Sequence, residues 1–392
     1  MAQSAILNPK SQILIVGAGP AGTSAAIRLK QKGFQVKLIE REKFPRHKLC
    51  GEFISPECFV HFKQLGVLDE MLSQNGERIS ETIFYAQNGK SVNVPSEWFS
   101  QNETALGLSR AEMDFQLLQR AKQVGVEVLE ETQVVGLLTE NGEIRGVKTK
   151  TDEISANLTI DATGRARVLG KLAEKQIQNP KSKIQNRLVG FKAHLKNVEM
   201  EKGRCEIYFF RGGYGGLNYV ENGIGNHCFL IKAEIVKEFG GDVEKILREV
   251  IFQNVRAKET MQNAEPVFDW LAVSVDSFGV KDLNPAPNLL AIGDAGAFID
   301  PFTGSGMLMA MESGEILTKA IESNLSAEKI ARIYKNSHRE KFQKRLRICN
   351  LMRRAAFAPN LAKYIISALS LGEKPRELLA RATRPKLSTL EK

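Results

Sequence analysis

Cysteine is scarce in this 392-residue chain, and that scarcity already excludes several architectures. The five thiols, Cys50, Cys58, Cys205, Cys228 and Cys349, form no CxxC pair and no Cys/His spacing of the kind that holds zinc. They are no disulfide framework, and a reducing compartment is expected to keep them as free thiols. Long apolar runs are also missing. Nothing approaches the length that spans a bilayer, and the opening MAQSAILNPKSQ lacks a basic segment followed by a long apolar core, so neither a transmembrane helix nor a signal peptide is expected and the reading is cytoplasmic. Negative charge is short by ten: 45 acidic residues face 55 basic ones. The shortfall is local, because Lys341 to Lys392 carries 13 Lys or Arg against Glu373, Glu377 and Glu391, which is itself +10. The preceding residues are therefore neutral overall, and any anionic partner is addressed by the C-terminal segment. No recognition motif accompanies that charge, which argues against nucleic acid.

What is present is an ordinary globular balance, 43% hydrophobic and 26% charged, in a chain long enough for two or three packed units. QILIVGAGPAG, residues 12 to 22, reads as a buried parallel strand turning sharply into a helix near Ala21. Gly17 permits the tight turn, Gly19 lets backbone approach a pyrophosphate, and Gly22 lets helix and strand pack closely. A second apolar strand, FQVKLIE, ends in Glu40, whose carboxylate suits the hydroxyls of an adenosine ribose and disfavours a 2′-phosphate. The adenylate is expected to be FAD or NAD, with Arg41 beside it. Only one such fingerprint occurs, so two resident dinucleotides are not expected.

Further on, Ser109 and Glu112 have the spacing of a capping box, which puts Arg110 in the first turn of a helix, within reach of a cofactor phosphate or ribose; a solvated arginine fits equally well. VEVLEE is read as a strand, and Asn141-Gly142 as a tight hairpin turn. ANLTIDATGRARVLG is another parallel strand ending in a small-residue turn at Gly164, where open α/β sheets bind ligands. From about Ile184 to Asp276 the character changes: LVGFKAHL, CEIYFF, HCFLIKAEIV and FDWLAVSV predict antiparallel strands, with GDVEKILREVIFQNV as one intervening helix. The glycines of RGGYGGLNYV precede no helix pattern and are read as a hairpin or bulge. The chain then returns with NLLAIGDAGAFIDPFTGSGM. A strand delivers Gly293 and Asp294, whose carboxylate can accept the hydroxyls of a ribityl chain. Pro301, Gly304 and Gly306 shape a loop that opens a long helix at about Met307, whose positive end favours negative charge on a ring placed against it.

GAGPAG with Glu40, the DATG turn at 161 to 164, and GDAGAFIDPFTGSGM together resemble the FAD-dependent oxidoreductases of the geranylgeranyl reductase family. That family is similar in turn to aromatic-ring hydroxylases and flavin halogenases. The resemblance implies FAD as cofactor, NAD(P)H as a transient electron donor, and a hydrophobic isoprenoid, lipid or polyketide-like substrate. Lys48-Leu49-Cys50-Gly51-Glu52 matches the KxCGE stretch that runs beside the flavin ring in reductase-like members, which makes Cys50 the expected catalytic thiol. A small residue that merely gives the ring room is the alternative, and Arg46, His47 and Lys48 could tune the thiol. Tyr214, Asn218 and Tyr219 stand where a looser aromatic pattern of the family lines the substrate, although cross-strand packing also accounts for them. Double-bond reduction is the leading reaction. A monooxygenase acting on an aromatic or polyketide substrate, and a flavin-bearing binding protein without turnover, are the alternatives. Halogenation is weaker, because Trp98 and Trp270 stand alone where halogenases carry WxWxI.

The expected organisation is α/β: a discontinuous Rossmann-type FAD-binding domain, 1–170 and 281–325, with a substrate-side insertion at about 60–105. A mainly antiparallel substrate-binding sheet, 171–280, and a basic helical segment, 326–392, complete it. KFQKRLRICNLMRRAAF, 341 to 357, predicts a helix with one apolar and one cationic face, suited to covering the FAD domain with its charges in water or to peripheral contact with a membrane surface.

Overall fold

A computed structural model of the chain describes residues 7–8, 10–99, 103–176, 188–275 and 278–384. The boundaries expected at Ile184 and Asp276, and the tail from 385 onward, lie outside the described residues.

Gln12–Val16 is apolar after its first residue and buried on both faces, the pattern of a central parallel strand. It pairs with Leu158–Asp161 on one side and Gln35–Ile39 on the other, and Leu289–Ala291 and Glu127–Leu129 complete a five-stranded parallel sheet. The carboxyl ends of these strands therefore deliver Gly17, Glu40, Gly164 and Asp294 to one edge of the sheet. Pro20–Gln31 follows the first strand with proline in its first turn, where no amide hydrogen is needed. Helix Gly306–Ile321 packs against it closely: a Cβ at Gly314 would lie 2.7 Å from Ser24 Oγ, so small residues on both helices set the separation.

The second sheet is built around Leu188–Lys196, Gly225–Lys232, Gly213–Tyr219 and Arg204–Phe210 in that order. Leu271–Val275 pairs with the outer strand, while Glu81–Tyr85 and Ser91–Pro95 from the early insertion extend the opposite edge. Glu81–Tyr85 runs parallel to Arg204–Phe210, a long-range pairing that local pattern cannot reveal.

Two local expectations are corrected, and the hairpin expected at RGGYGGLNYV forms with only its first glycine in the turn. HCFLIKAEIV is a strand only to Lys232, after which Ala233–Glu238 is helical. GDVEKILREVIFQNV is interrupted after Val243–Glu249, because the Asn254 side chain accepts from the amides of Arg256 and Ala257 and caps a new helix, Val255–Met261. In RGGYGGLNYV only Gly212, at φ +71°, belongs to the hairpin turn; the later glycines lie in a regular strand.

Ala327–Ala356, Pro359–Leu369 and Glu373–Ala382 form a helical cap. Not all of its charges stay in water. Arg345 is buried against Glu312 at 2.8 Å, with Lys341 at 3.2 Å from the same carboxylate, while Leu351, on the face expected to be covered, is 69% exposed.

Candidate active site

A cavity of about 1190 Å³ runs from the carboxyl edge of the parallel sheet, under the second sheet, to the helical cap. At its first end lie Gly17, Gly19, Glu40, Arg41 and Gly164, followed by Asp294, Pro301, Gly304, Gly306 and Met307. Gly17 has φ +107°, and a Cβ there would sit 2.4 Å from the Ala162 carbonyl oxygen, so neither the turn nor the close strand approach tolerates a side chain. Gly22 and Gly293 are not in the wall. A Cβ on Gly22 would meet the Gly17 carbonyl oxygen at 1.9 Å, and one on Gly293 would meet Ala21 Cβ at 2.7 Å, so both set packing behind the wall.

Polar groups at this end are arranged for a nucleotide. Glu40 accepts from the Ala18 amide at 2.9 Å and the Glu42 amide at 3.1 Å, which pins its carboxylate beside the glycine turn. Arg110, one residue after the Ser109 cap, grips Asp114 through two bonds of 2.8 and 2.6 Å. Burial works against its charge, but Asp114 outweighs burial and raises its pKa. Arg46 shares Asp114 at 3.0 Å. Lys48 completes the group, and its pKa is lowered to about 8, by burial first and then by Arg46 and Arg110. Three cations around one aspartate leave a surplus that matches a pyrophosphate. Asp294 makes no hydrogen bond among the described residues. Burial pushes its pKa up, opposed by Arg165, Arg110 and Lys48, and its carboxyl group lines the cavity. The amides opening Gly306–Ile321 are free of any side-chain cap. These features fit FAD: a carboxylate for each polyol, cations for the phosphates, and a helix start for the ring.

The middle of the cavity is crossed by Lys48, Cys50, Gly51 and Glu52. All five cysteines are free, and buried Cys58 contacts Ser55 rather than Cys50. The far end is apolar, with Phe84, Phe209, Leu230, Val275 and Phe302 on the second sheet and adjoining loop, and Ile366 on the cap. Tyr214 lies in this wall, but its hydroxyl donates to Asp300 at 2.6 Å and is not free for a ligand. Asn218 also reaches the wall, with its amide turned to the carbonyls of Tyr219 and Glu52. Tyr219 is a correction to the expected substrate set: strand alternation turns it to the opposite face, where its hydroxyl donates to the carbonyls of Val198 and Met200.

Sequence reasoning passed over Lys48 as a phosphate contact and missed Lys192 and His194 altogether, although both are buried around Glu52. The signal was available, since a lysine and a histidine at alternate positions of an otherwise apolar strand, LVGFKAHL, share one face. Among the described residues no cluster suits a metal ion, and no helix is long and apolar enough to cross a membrane.

The arrangement defines an FAD-dependent flavoprotein, and comparison with known proteins agrees. The family described as FAD binding domain matches residues 10–344, and the chain belongs to it. It is an FAD-dependent oxidoreductase, similar in sequence to reductases of the geranylgeranyl type. The digeranylgeranylglycerophospholipid reductase of Methanosarcina acetivorans is 28% identical over 354 residues, covering 84% of this chain and 80% of that protein. Among solved structures, the flavin-dependent brominase Bmp2 superposes with a TM-score of 0.78 at 18% identity, over 95% of this chain and 93% of its own. A geranylgeranyl bacteriochlorophyll reductase-like protein of Thermoplasma acidophilum does so at 0.69 and 20% identity, over 97% and 93%. Likeness at that level speaks for the fold.

Proposed function

We propose that this oxidoreductase reduces a carbon–carbon double bond in an isoprenoid or similarly oily substrate, with NAD(P)H as the transient donor of electrons. The observation that carries the reading is the polarity of this one continuous cavity: a nucleotide-binding end, an apolar end, and the Cys50 stretch between them. The named activity of the Methanosarcina relative, a reductase of a digeranylgeranyl lipid, supports it. Residues 1–170 and 281–325 would then serve FAD, 171–280 the substrate, and 326–392 the covering of the cavity.

Bound FAD supplies the hydride in such chemistry. The chain's own residues do the rest. Glu40 and Asp294 would accept ribose and ribityl hydroxyls, while Arg46, Lys48 and Arg110 would hold the phosphates. The apolar wall would orient the substrate and exclude water. The proton that balances the hydride would come from the Cys50 thiol, later replenished from solvent. Cys50→Ala is expected to lower turnover about a hundredfold, at the lower end of what a positioned general acid contributes, with FAD affinity unchanged.

The test is to incubate the holoenzyme anaerobically with NAD(P)H and a geranylgeranyl-chain lipid. A mass gain of two hydrogens per double bond is the expected product. The second reading, a monooxygenase acting on an aromatic substrate, is compatible with a fold shared with PqsL, solved in complex with the aromatic 2-aminobenzoylacetate. If labelled oxygen enters an aromatic substrate in air and no polyprenyl chain is reduced, that reading replaces the first.

An oily substrate also implies contact with a lipid surface. The cap carries exposed Leu351, Tyr364, Leu371 and Leu378 among exposed cations, which suits an anionic bilayer.

A further inference from the structure

Beneath the Cys50 stretch the second sheet carries a row of polar side chains where a hydrophobic face is the rule. His194, Asn226 and Asn218 are cross-strand partners on three neighbouring strands, and all three are buried. Lys192 lies on the same face two residues from His194 and is fully buried. Every one of them bonds to the segment from Lys48 to Glu52. Lys192 Nζ donates to the Lys48 carbonyl at 3.1 Å and to the Glu52 carboxylate. His194 Nε2 lies 2.6 Å from the other oxygen of that carboxylate. The amide of Asn226 donates to the Cys50 carbonyl at 3.3 Å, and that of Asn218 to the Glu52 carbonyl at 3.4 Å.

Glu52 is the hub. It is fully buried, its carboxylate also accepts from the Arg110 amide at 2.8 Å, and its own amide points at Cys50 Sγ at 3.4 Å. Its φ of +50° is a left-handed conformation that a glutamate adopts only when its surroundings impose it. Stability alone does not explain such a cluster, because a buried ion pair is commonly no better than well-packed apolar residues of the same volume. What the cluster achieves is geometric: backbone on both sides of Cys50 is fixed to a rigid sheet, and the turn that aims the thiol into the cavity is held in a strained form.

We propose that Glu52, Lys192, His194 and Asn226 are positioning residues for the Cys50 thiol, fixing its direction relative to the cofactor end of the cavity. The proposal rests on the reading of Cys50 as the active-site thiol. Labelling reports where that thiol points whatever the reaction proves to be, so the two readings fail separately.

The experiment follows alkylation of the FAD-loaded protein by iodoacetamide, mapped by peptide mass spectrometry, alongside thermal unfolding. Burial pushes Cys58, Cys205 and Cys228 up to about 12 and raises Cys349 as well, which disfavours their thiolates, and peptide mapping separates Cys50 from all four. Lys192→Met alone strands a buried carboxylate and is expected to unfold readily. The double variant E52Q/K192M removes both charges and is expected to recover a near-native melting temperature with FAD bound. In it, and in Asn226→Leu, which frees the Cys50 carbonyl without touching a charge, the Cys50 alkylation rate should change about tenfold or more, as expected for a reactive group displaced by about an ångström. The same variants should lower kcat with KM little changed. Wild-type alkylation rates in the folded double variant would overturn the proposal. Should the double variant not fold, a wild-type rate in N226L would overturn it.

Discussion

Lys48 shows how a single side chain reports on an absent charge. Burial, Arg46 and Arg110 together lower its pKa to about 8, so the cofactor-free site loses a cation as pH rises through that value. A pyrophosphate beside it favours the protonated amine, and FAD binding above pH 8 must therefore be accompanied by proton uptake. FAD affinity is expected to be flat below about pH 7 and to weaken by up to tenfold per pH unit above 8, as linkage requires for one proton. Lys48→Met should bind FAD more weakly at pH 7 and show no such slope. Fluorescence titration of FAD against pH measures both, and a slope unchanged in the variant would assign the titration elsewhere. Residues of this kind divide by how they announce themselves. Gly17, Glu40 and Asp294 were legible in the sequence because their chemistry depends on a fixed place after a strand. Lys192 and His194 left a local signal in their strand, but their pairing with Glu52 was not legible, because 140 residues separate Glu52 from Lys192 and only the folded sheet brings them together.

At the scale of elements, strands and helices of the FAD-binding part followed from local pattern, since buried parallel strands and glycine turns leave strong local signals. The second sheet was legible as strands but not as an order of strands. The joint between the two parts was not legible at all: the Tyr214 hydroxyl donates to Asp300, whose other bond caps the turn Pro301–Thr303 ahead of helix Gly306–Ile321. One hydrogen bond thus ties the second sheet to the loop that opens helix Gly306–Ile321. Tyr214→Phe leaves Asp300 the Phe302 amide and a distant Arg353 at 3.8 Å. Losing a buried bond to a carboxylate of this kind costs about 1.5–3 kcal/mol. The melting temperature of the FAD-loaded protein should fall accordingly, and FAD should dissociate faster because the loop is less restrained. A variant that melts and releases FAD like the wild type would show that packing of the Tyr214 ring against Phe302 and Phe357 alone holds this joint.

For the molecule as a whole, charge and apolar exposure coincide. The tail's surplus of ten positive charges was countable in the sequence, but which of its residues face solvent depended on packing. Phe342 is fully buried and Arg345 is nearly so, whereas Lys344, Arg347, Leu351 and Arg354 form one exposed stripe of helix Ala327–Ala356 at helical spacing. Lys374, Leu378 and Arg381 repeat that pattern on Glu373–Ala382, and Lys363 and Tyr364 lie exposed between them. The same helices line the cavity through Ala362, Ile366, Leu369 and Leu379, and Leu351 and Arg354 of the exposed stripe also belong to its lining. A surface held to a bilayer by this cap would sit against the wall of the substrate site. Each cation near an anionic surface contributes about 1 kcal/mol, screened within a Debye length, so the binding should be reversible and sensitive to salt. The FAD-loaded protein is expected to sediment with vesicles containing phosphatidylglycerol at low salt, to be released at about 0.5 M salt, where the screening length is a few ångströms, and to ignore neutral phosphatidylcholine. Arg347→Gln, Arg354→Gln and Lys374→Gln together should abolish sedimentation without lowering the melting temperature, because none of the three is buried. Leu371→Ser and Leu378→Ser should weaken it at any salt concentration, since their contribution is apolar. Equal sedimentation with both vesicle types, or none with either, would assign the exposed stripe to some surface other than a bilayer.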